Sequence, residues 1–231
     1  MTSPFYLTRA RLRPDASISA ISRVLLPDNA SARAMASHQL VWSLFAGDKA
    51  AQRDFLWRED QRGTFFILSP RPPEDSAIFK TETKPFAPEL AAGDLLRFTL
   101  RANATRSIKD GPTSRGKRAD VVMAALNPIP QHERAEARSG IIFSAGRSWL
   151  LAQGQRYGFE LAEEAEDPTL NVDGYTKLKI PRRGKEDLKI SVLEFAGALR
   201  VTDPACFLEC LLKGFGHAKA FGCGLMLIRR A

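Results

Sequence analysis

The chain has 231 residues, 44% of them hydrophobic, and a formal net charge of +8. That length suits one large domain or two small ones, and the charge fits a polyanionic partner, either nucleic acid or an anionic membrane. No apolar run of about 18 residues occurs, so no membrane span is expected; Cys206, Cys210 and Cys223 make neither an even disulfide framework nor a Cys-x-x-Cys pair, which fits a reduced, cytoplasmic setting.

Phe5–Leu12 alternates as a strand with both faces partly apolar, so a central position is expected, and no signal peptide. Asp15–Leu26 fits a short helix on Ile18, Ile21 and Leu25, interrupted at Pro27. Asn29 or Ser31 caps a second helix running to about Ala46, with Leu40, Val41, Leu44 and Phe45 on one side and Gly47-Asp48 as its stop. Asp54–Glu59 and Thr64–Ser69 read as a hairpin across Asp60–Gly63. The proline-rich stretch Pro70–Pro88 reads mostly as loop. Asp94–Ser107 alternates as the next strong strand, which completes β, α, β, β, irregular, β: a ferredoxin-like unit with a weak second helix.

Lys109–Arg118 is a polar basic turn and the expected boundary region. Helical patterns follow at Pro128–Gly140 and Ser144–Gln155. Strands are expected at Tyr157–Leu161, Tyr175–Arg182, Lys189–Phe195 and Ala198–Thr202, with an acidic turn at Glu163–Asp167 and turns at Arg183–Asp187 and Ala196-Gly197. Asp203-Pro204 opens a last helix as N-cap and N1, and Gly214 ends it. The second half also closes as ββαβ.

Between that helix and a final strand at Leu225–Ile228 lies Gly214–Gly224, GFGHAKAFGCG. Its glycines permit positive φ, and its amides with Lys219 suit a phosphate, although such turns also serve structure alone. It lacks the Gly-Lys-Ser/Thr of a Walker A motif, and it precedes a strand at the chain's end rather than opening a dinucleotide-binding unit. His38, His132 and His217 form no metal-ligand spacing, so no metal site or cofactor is expected. Arg97, Arg101, Arg106, Lys109, Arg115, Lys117 and Arg118 are opposed only by Asp110. They read either as a solvated hairpin or as an arm along a nucleic-acid backbone. A second basic run spans Lys177 to Lys189.

GFGHAKAFGCGLMLI resembles the C-terminal glycine-rich loop of the CRISPR repeat-processing endoribonucleases, in particular the CasE-type subunits of type I-E Cascade. FYLTRARL, SHQLVWSLF and LLRFTLRAN agree in the same order. The resemblance implies an α+β chain of tandem ferredoxin-like (RRM-like) domains, 1–110 and 111–231, with a C-terminal glycine-rich loop. It implies binding of the CRISPR repeat stem-loop and one cut at the 3′ base of the stem. It further implies attack by the RNA's own 2′-OH without a metal, and assembly into the Cascade complex. His38-Gln39, with Trp42, Leu44 and Phe45 downstream, matches the context of the family's catalytic histidine. Met35 stands where the family often has a tyrosine, and Ser37 and Tyr6 are candidates for that role. A non-catalytic RNA-binding subunit on the same fold is the alternative. The implied RNA-binding residues are Arg97, Arg101, Arg106, Lys109, Arg115, Lys117 and Arg118, with Gly214, Gly216, His217, Lys219 and Gly222 of the loop.

Overall fold

The computed structural model describes residues 4–45, 53–108, 116–162, 170–182 and 184–231. The expected helix stop at Gly47-Asp48 and the acidic turn at Glu163–Asp167 lie outside these residues, as do Lys109 and Arg115.

The first sheet begins with β1 (Tyr6–Leu12), which buries Thr8 and Ala10 and turns Leu7 and Arg9 to the other face. Helix α1 (Ala16–Leu25) follows and buries none of its residues. Helix α2 (Ala30–Trp42) starts at Asn29, whose Oδ1 accepts from the amides of Ser31 and Ala32 at 3.0 Å each. It passes into a 3-10 turn, Ser43–Phe45. Leu40, Val41, Leu44 and Phe45 pack there against Phe55, Trp57, Phe65 and Phe79. β2 (Leu56–Gln61) and β3 (Thr64–Ser69) form the expected hairpin.

Pro70–Pro88 departs from the expectation of loop: it contains β4 (Phe79–Pro85), paired antiparallel with β1. Its prolines sit at the two ends and leave FKTETK free to extend. Only Phe79 enters the core, so a polar edge strand carries little apolar pattern. The sheet order is β2-β3-β1-β4, with β1 inside.

Asp94–Ser107 is two strands rather than one: β5 (Leu95–Ala102) and β6 (Thr105–Ile108). β5 does not close the first sheet. It joins the second, because its alternate residues Leu96, Phe98, Leu100 and Ala102 belong to the second core. β6 pairs with β7 (Lys117–Asp120) as a separate hairpin. Asp120 ends that hairpin by capping a short helix absent from the sequence reading, α3 (Val121–Leu126).

One 24-residue helix, α4 (Arg134–Tyr157), replaces the two expected ones. Gly140 and Gly146 do not break it. Gly146 is the contact point with the sheet, where a Cβ would stand 2.4 Å from Val172 Cγ1. β8 (Phe159–Leu161) and β9 (Asn171–Arg182) both pair with β10 (Lys185–Val201). β10 runs straight through Ala196-Gly197, where a turn was expected. Both residues stay paired to β5, opposite Thr99 and Phe98, and Ala196 is also paired to Asn171 of β9.

Helix α5 (Pro204–Lys213) is capped by Asp203, and β11 (Met226–Arg230) ends the sheet beside β5. The order β11-β5-β10-β8/β9 repeats that of the first sheet, with the split pair β8/β9 in the place of β2. Both sheets therefore follow the ferredoxin-like arrangement. The far ends of β9 and β10 reach past their own core: Leu178, Ile180, Ile190 and Val192 pack on Ala34 and Met35 of α2, and Lys179 N donates to Ser31 Oγ at 2.9 Å.

Two glycines of α4 give opposite expectations. A Cβ at Gly154 would stand 2.4 Å from the Phe159 carbonyl oxygen, whereas one at Gly140 meets nothing within 4 Å. Gly154→Ala should destabilise by about 1–3 kcal/mol through overpacking, and Gly140→Ala should stabilise by about 0.5–1 kcal/mol through helix propensity. Thermal unfolding of both variants checks this.

Candidate active site at the seam of the two sheets

The segment from Gly214 to Gly224 lies against both sheets. A Cβ at Gly222 would stand 3.1 Å from the Trp57 ring, and one at Gly214 would stand 2.8 Å from Leu56, both on β2. On the other side, a Cβ at Gly216 would stand 3.0 Å from the Asn103 carbonyl oxygen. All three glycines have positive φ. Gly224 N donates to Arg101 O at 2.7 Å, and His217 bridges to Asn103. The LRAN stretch and the glycine loop, separate in the chain, are thus one hydrogen-bonded structure. Ala218, with φ 56°, is the one non-glycine residue of positive φ among the described residues. It turns the chain from His217 into a 3-10 turn, Lys219–Phe221.

That turn meets His38. The Phe221 and His38 rings lie 6.0 Å apart, and Trp42 lies 6.2 Å away on the helix side. Trp42 in turn packs on Phe55 at 5.4 Å. Arg53 Nη1 donates to the Phe55 carbonyl at 2.7 Å, which holds its guanidinium near this group. Lys219 Nζ donates to the Lys213 carbonyl at 2.6 Å. His38 Nδ1 is buried without a hydrogen-bond partner among the described residues.

Cations, not carboxylates, act on the titratable groups of the seam. Burial, and then the Arg53 guanidinium, hold the His38 imidazole below its ordinary pKa. Burial does the same to Lys219; Cys210 opposes the shift, and Arg53 and Lys213 add lesser repulsion in its direction. Burial, then Arg118 and Lys219, lower His217. No carboxylate contributes to any of the three shifts. Beneath the site, Arg58 of β2 donates to Thr99 Oγ1 at 3.2 Å and stands 3.7 Å from Glu194, whose other oxygen accepts from Arg101 at 3.0 Å. A cavity of about 200 Å³ opens beside this network, lined by Ser37, Trp57, Arg101, Phe221 and Gly222 among others.

The candidate residues thus separate into three places. His38, Lys219 and the loop glycines meet at the seam, and His217 sits where the loop approaches Arg118. Arg106, Lys117 and Arg118 occupy the β6–β7 hairpin. Arg97 and Arg101 lie on β5 instead; Arg101 is engaged by Glu194, and Arg97 is on the open sheet face. Arg53 escaped the sequence reading, because a lone arginine before a strand carries no local signal. Met35 packs among apolar residues, and Ser37 is buried with its Oγ unpartnered. His132 is exposed beside Glu133. Burial pushes Cys210 up to about 12 and Cys223 up to about 11, so neither is a thiolate at neutral pH. No group of three or more His, Cys, Asp or Glu among the described residues could hold a metal ion. None of their helices is long and apolar enough to cross a membrane.

Two ferredoxin-like sheets, with a glycine-rich loop of the second half laid against a helix-borne histidine of the first, place the chain among the tandem ferredoxin-like proteins. More narrowly, the family described as CRISPR associated protein matches residues 5–230, and the chain belongs to it. Among its relatives, the Cascade subunit CasE of Escherichia coli K12 is 26% identical over 195 residues, 82% of this chain and 88% of that one. The CRISPR-associated endoribonuclease Cse3 of Thermus thermophilus is 31% identical over 150 residues, 63% of this chain and 60% of that one. In structure, Thermus thermophilus Cse3 bound to an RNA representing a pre-cleavage complex has a TM-score of 0.69 at 24% identity, covering 98% of this chain and 99% of that one. Cas6e of Escherichia coli K-12 has a TM-score of 0.60 at 22% identity, covering 98% and 100%. At these identities the structural likeness shows the fold.

If Arg53 acts on His38 through space, the imidazole should titrate below its usual value of about 6.5, and Arg53→Gln should move it upward. NMR titration of the histidine ring protons in both proteins measures the shift.

Proposed function

We propose that this protein is a CRISPR precursor-RNA endoribonuclease that binds the repeat stem-loop and cuts once at the 3′ base of the stem. The observation that carries the reading is His38 of α2, in the first half of the chain, facing the Lys219–Phe221 turn of the second half, with the Arg53 guanidinium acting on its imidazole. The names of the relatives, an endoribonuclease and a Cascade subunit, support it.

The lowered pKa leaves the imidazole neutral at pH 7, the form that accepts a proton. Nε2 takes the proton of the RNA 2′-OH, and the oxygen attacks the adjacent phosphorus. The bond to the 5′-oxygen breaks, which leaves a 2′,3′-cyclic phosphate and a 5′-OH. Nucleophile and phosphorus belong to one nucleotide, so attack is intramolecular and proceeds without a metal. Arg53 and Lys219 offset the charge that gathers on the phosphate oxygens. Arg106, Lys117 and Arg118 of the hairpin, extended by Lys109 and Arg115, hold the backbone of the stem. His217 and the loop around Gly214, Gly216 and Gly222 steady the RNA next to it. The product stays with the protein in a cytoplasmic Cascade complex. The sheets suggest two units that divide within residues 86–94, ahead of β5, in place of a division at 110/111.

Three results are expected. His38→Ala should cut about 10²–10⁴-fold more slowly, the usual worth of a positioned base, while its affinity for the hairpin is kept; single-turnover rates and binding constants separate the two. The wild-type rate in His38→Ala would remove this assignment. A substrate with 2′-deoxyribose 5′ of the cut should resist cleavage, and chelator should leave the normal substrate's cleavage intact. Neutralising Arg106, Lys117 and Arg118 together should weaken binding and flatten its salt dependence by about 0.7–0.9 for each phosphate that the hairpin no longer neutralises.

A further inference from the structure

β11 and β5 meet with Arg229 directly opposite Arg97. Like charges facing each other across an antiparallel pair oppose the sheet. Elsewhere the same sheet pairs its arginines: Arg230 donates to Asp94 at 3.1 Å, and Arg200 stands 3.7 Å from Glu160. Arg97 and Arg229 are exposed, and neither side chain has an ion pair or hydrogen bond with a described residue. They flank a cavity of about 260 Å³ on the open face of the second sheet, bordered by the small residues Thr99, Ala196 and Gly197. Arg229 also lines a neighbouring hollow of about 490 Å³ with Lys84 of β4, where Glu89 is the carboxylate. Two unpaired guanidinium forks over a hollow bordered by small side chains suit a phosphodiester, which each fork can grip with two hydrogen bonds.

We propose that Arg97 and Arg229 form a phosphate-binding subsite, apart from the cleavage seam, for a single-stranded segment of RNA flanking the repeat stem. The proposal rests on the reading of the chain as a repeat-RNA nuclease. Arg97 and Arg101 lie on the same face of β5, four residues and so about 13 Å apart, and Arg101 lines the cavity at the seam. Arg58 of β2 reaches over Thr99 between them, so a strand leaving the seam would pass around β2 to the arginine pair. The hollow admits one phosphate and its sugar, and an unpaired strand can splay its backbone into it, whereas a duplex is met along its groove.

The test compares two RNAs, the repeat hairpin with its single-stranded flanks and the hairpin alone, for the wild type and for a double variant carrying Arg97→Gln and Arg229→Gln. The wild type should bind the flanked RNA about tenfold or more tightly than the bare hairpin, the worth of a hydrogen bond to a charged group. In the double variant that advantage should vanish, and the salt slope for the flanked RNA should fall by about 0.7, for the one phosphate that the pair no longer neutralises. Removal of a repulsive pair should leave the melting temperature no lower, so weakened binding would not reflect unfolding. Survival of the flank's advantage in the double variant overturns the proposal, as does an equal loss on both RNAs. Failure of the wild type to bind either RNA would overturn the RNA-processing reading as well, which tells the two failures apart.

Discussion

The backbone of Gly222 lies so close to the indole of Trp57 that a Cβ there would press on the ring at 3.1 Å. The site depends on that approach. Trp57 belongs to the core under α2, the helix that carries His38. Gly222 ends the turn that carries Lys219 and Phe221. A bulkier residue at 222 would hold the turn away from the helix and separate Phe221 from His38. Positive φ at the same position adds a second reason for glycine, because the reversal into β11 needs it. Chemistry and packing therefore set the same requirement there.

Beneath that contact, apolar and charged interactions divide the work. Leu56 and Leu68 of the first sheet bury against Leu225 just ahead of β11. Such contacts are non-directional and tolerate sliding. Arg58, Glu194 and Arg101 do not tolerate it, since their hydrogen bonds fix how β2 sits over β5 and β10. Burial raises the Glu194 pKa, opposed by the two arginines. Arg58 is buried and Arg101 and Glu194 are half-buried, so removing one member would leave the others paired only in part. The network fixes a register more than it adds stability.

Features with a local cause were legible in the sequence. Asn29 and Asp203-Pro204 cap the helices they were expected to cap, and Gly63 turns the expected hairpin. What escaped depended on partners far along the chain. FKTETK is a strand because β1 offers it an edge, not because of its own pattern. Ala196-Gly197 stays extended because β5 lies beside it. Asp94–Ser107 was read as a strand, yet which sheet it joins is a matter of core membership that alternation does not encode. In the site, His38 and the loop stood out through family resemblance. Arg53 reaches them only through the fold, by way of Phe55 and Trp42.

The long ribbon of β9 and β10 has a consequence for how the molecule comes apart. Its outer end covers one side of α2, and the glycine loop covers another. Both belong to the second half of the chain, while the helix belongs to the first. α2 is a buried element only when both halves are folded, so neither half has a complete surface of its own. The two sheets are then a single cooperative body despite their repeated topology. Amide exchange along α2 would follow global unfolding rather than local opening of the first half. Duplicated architecture here does not amount to duplicated autonomy.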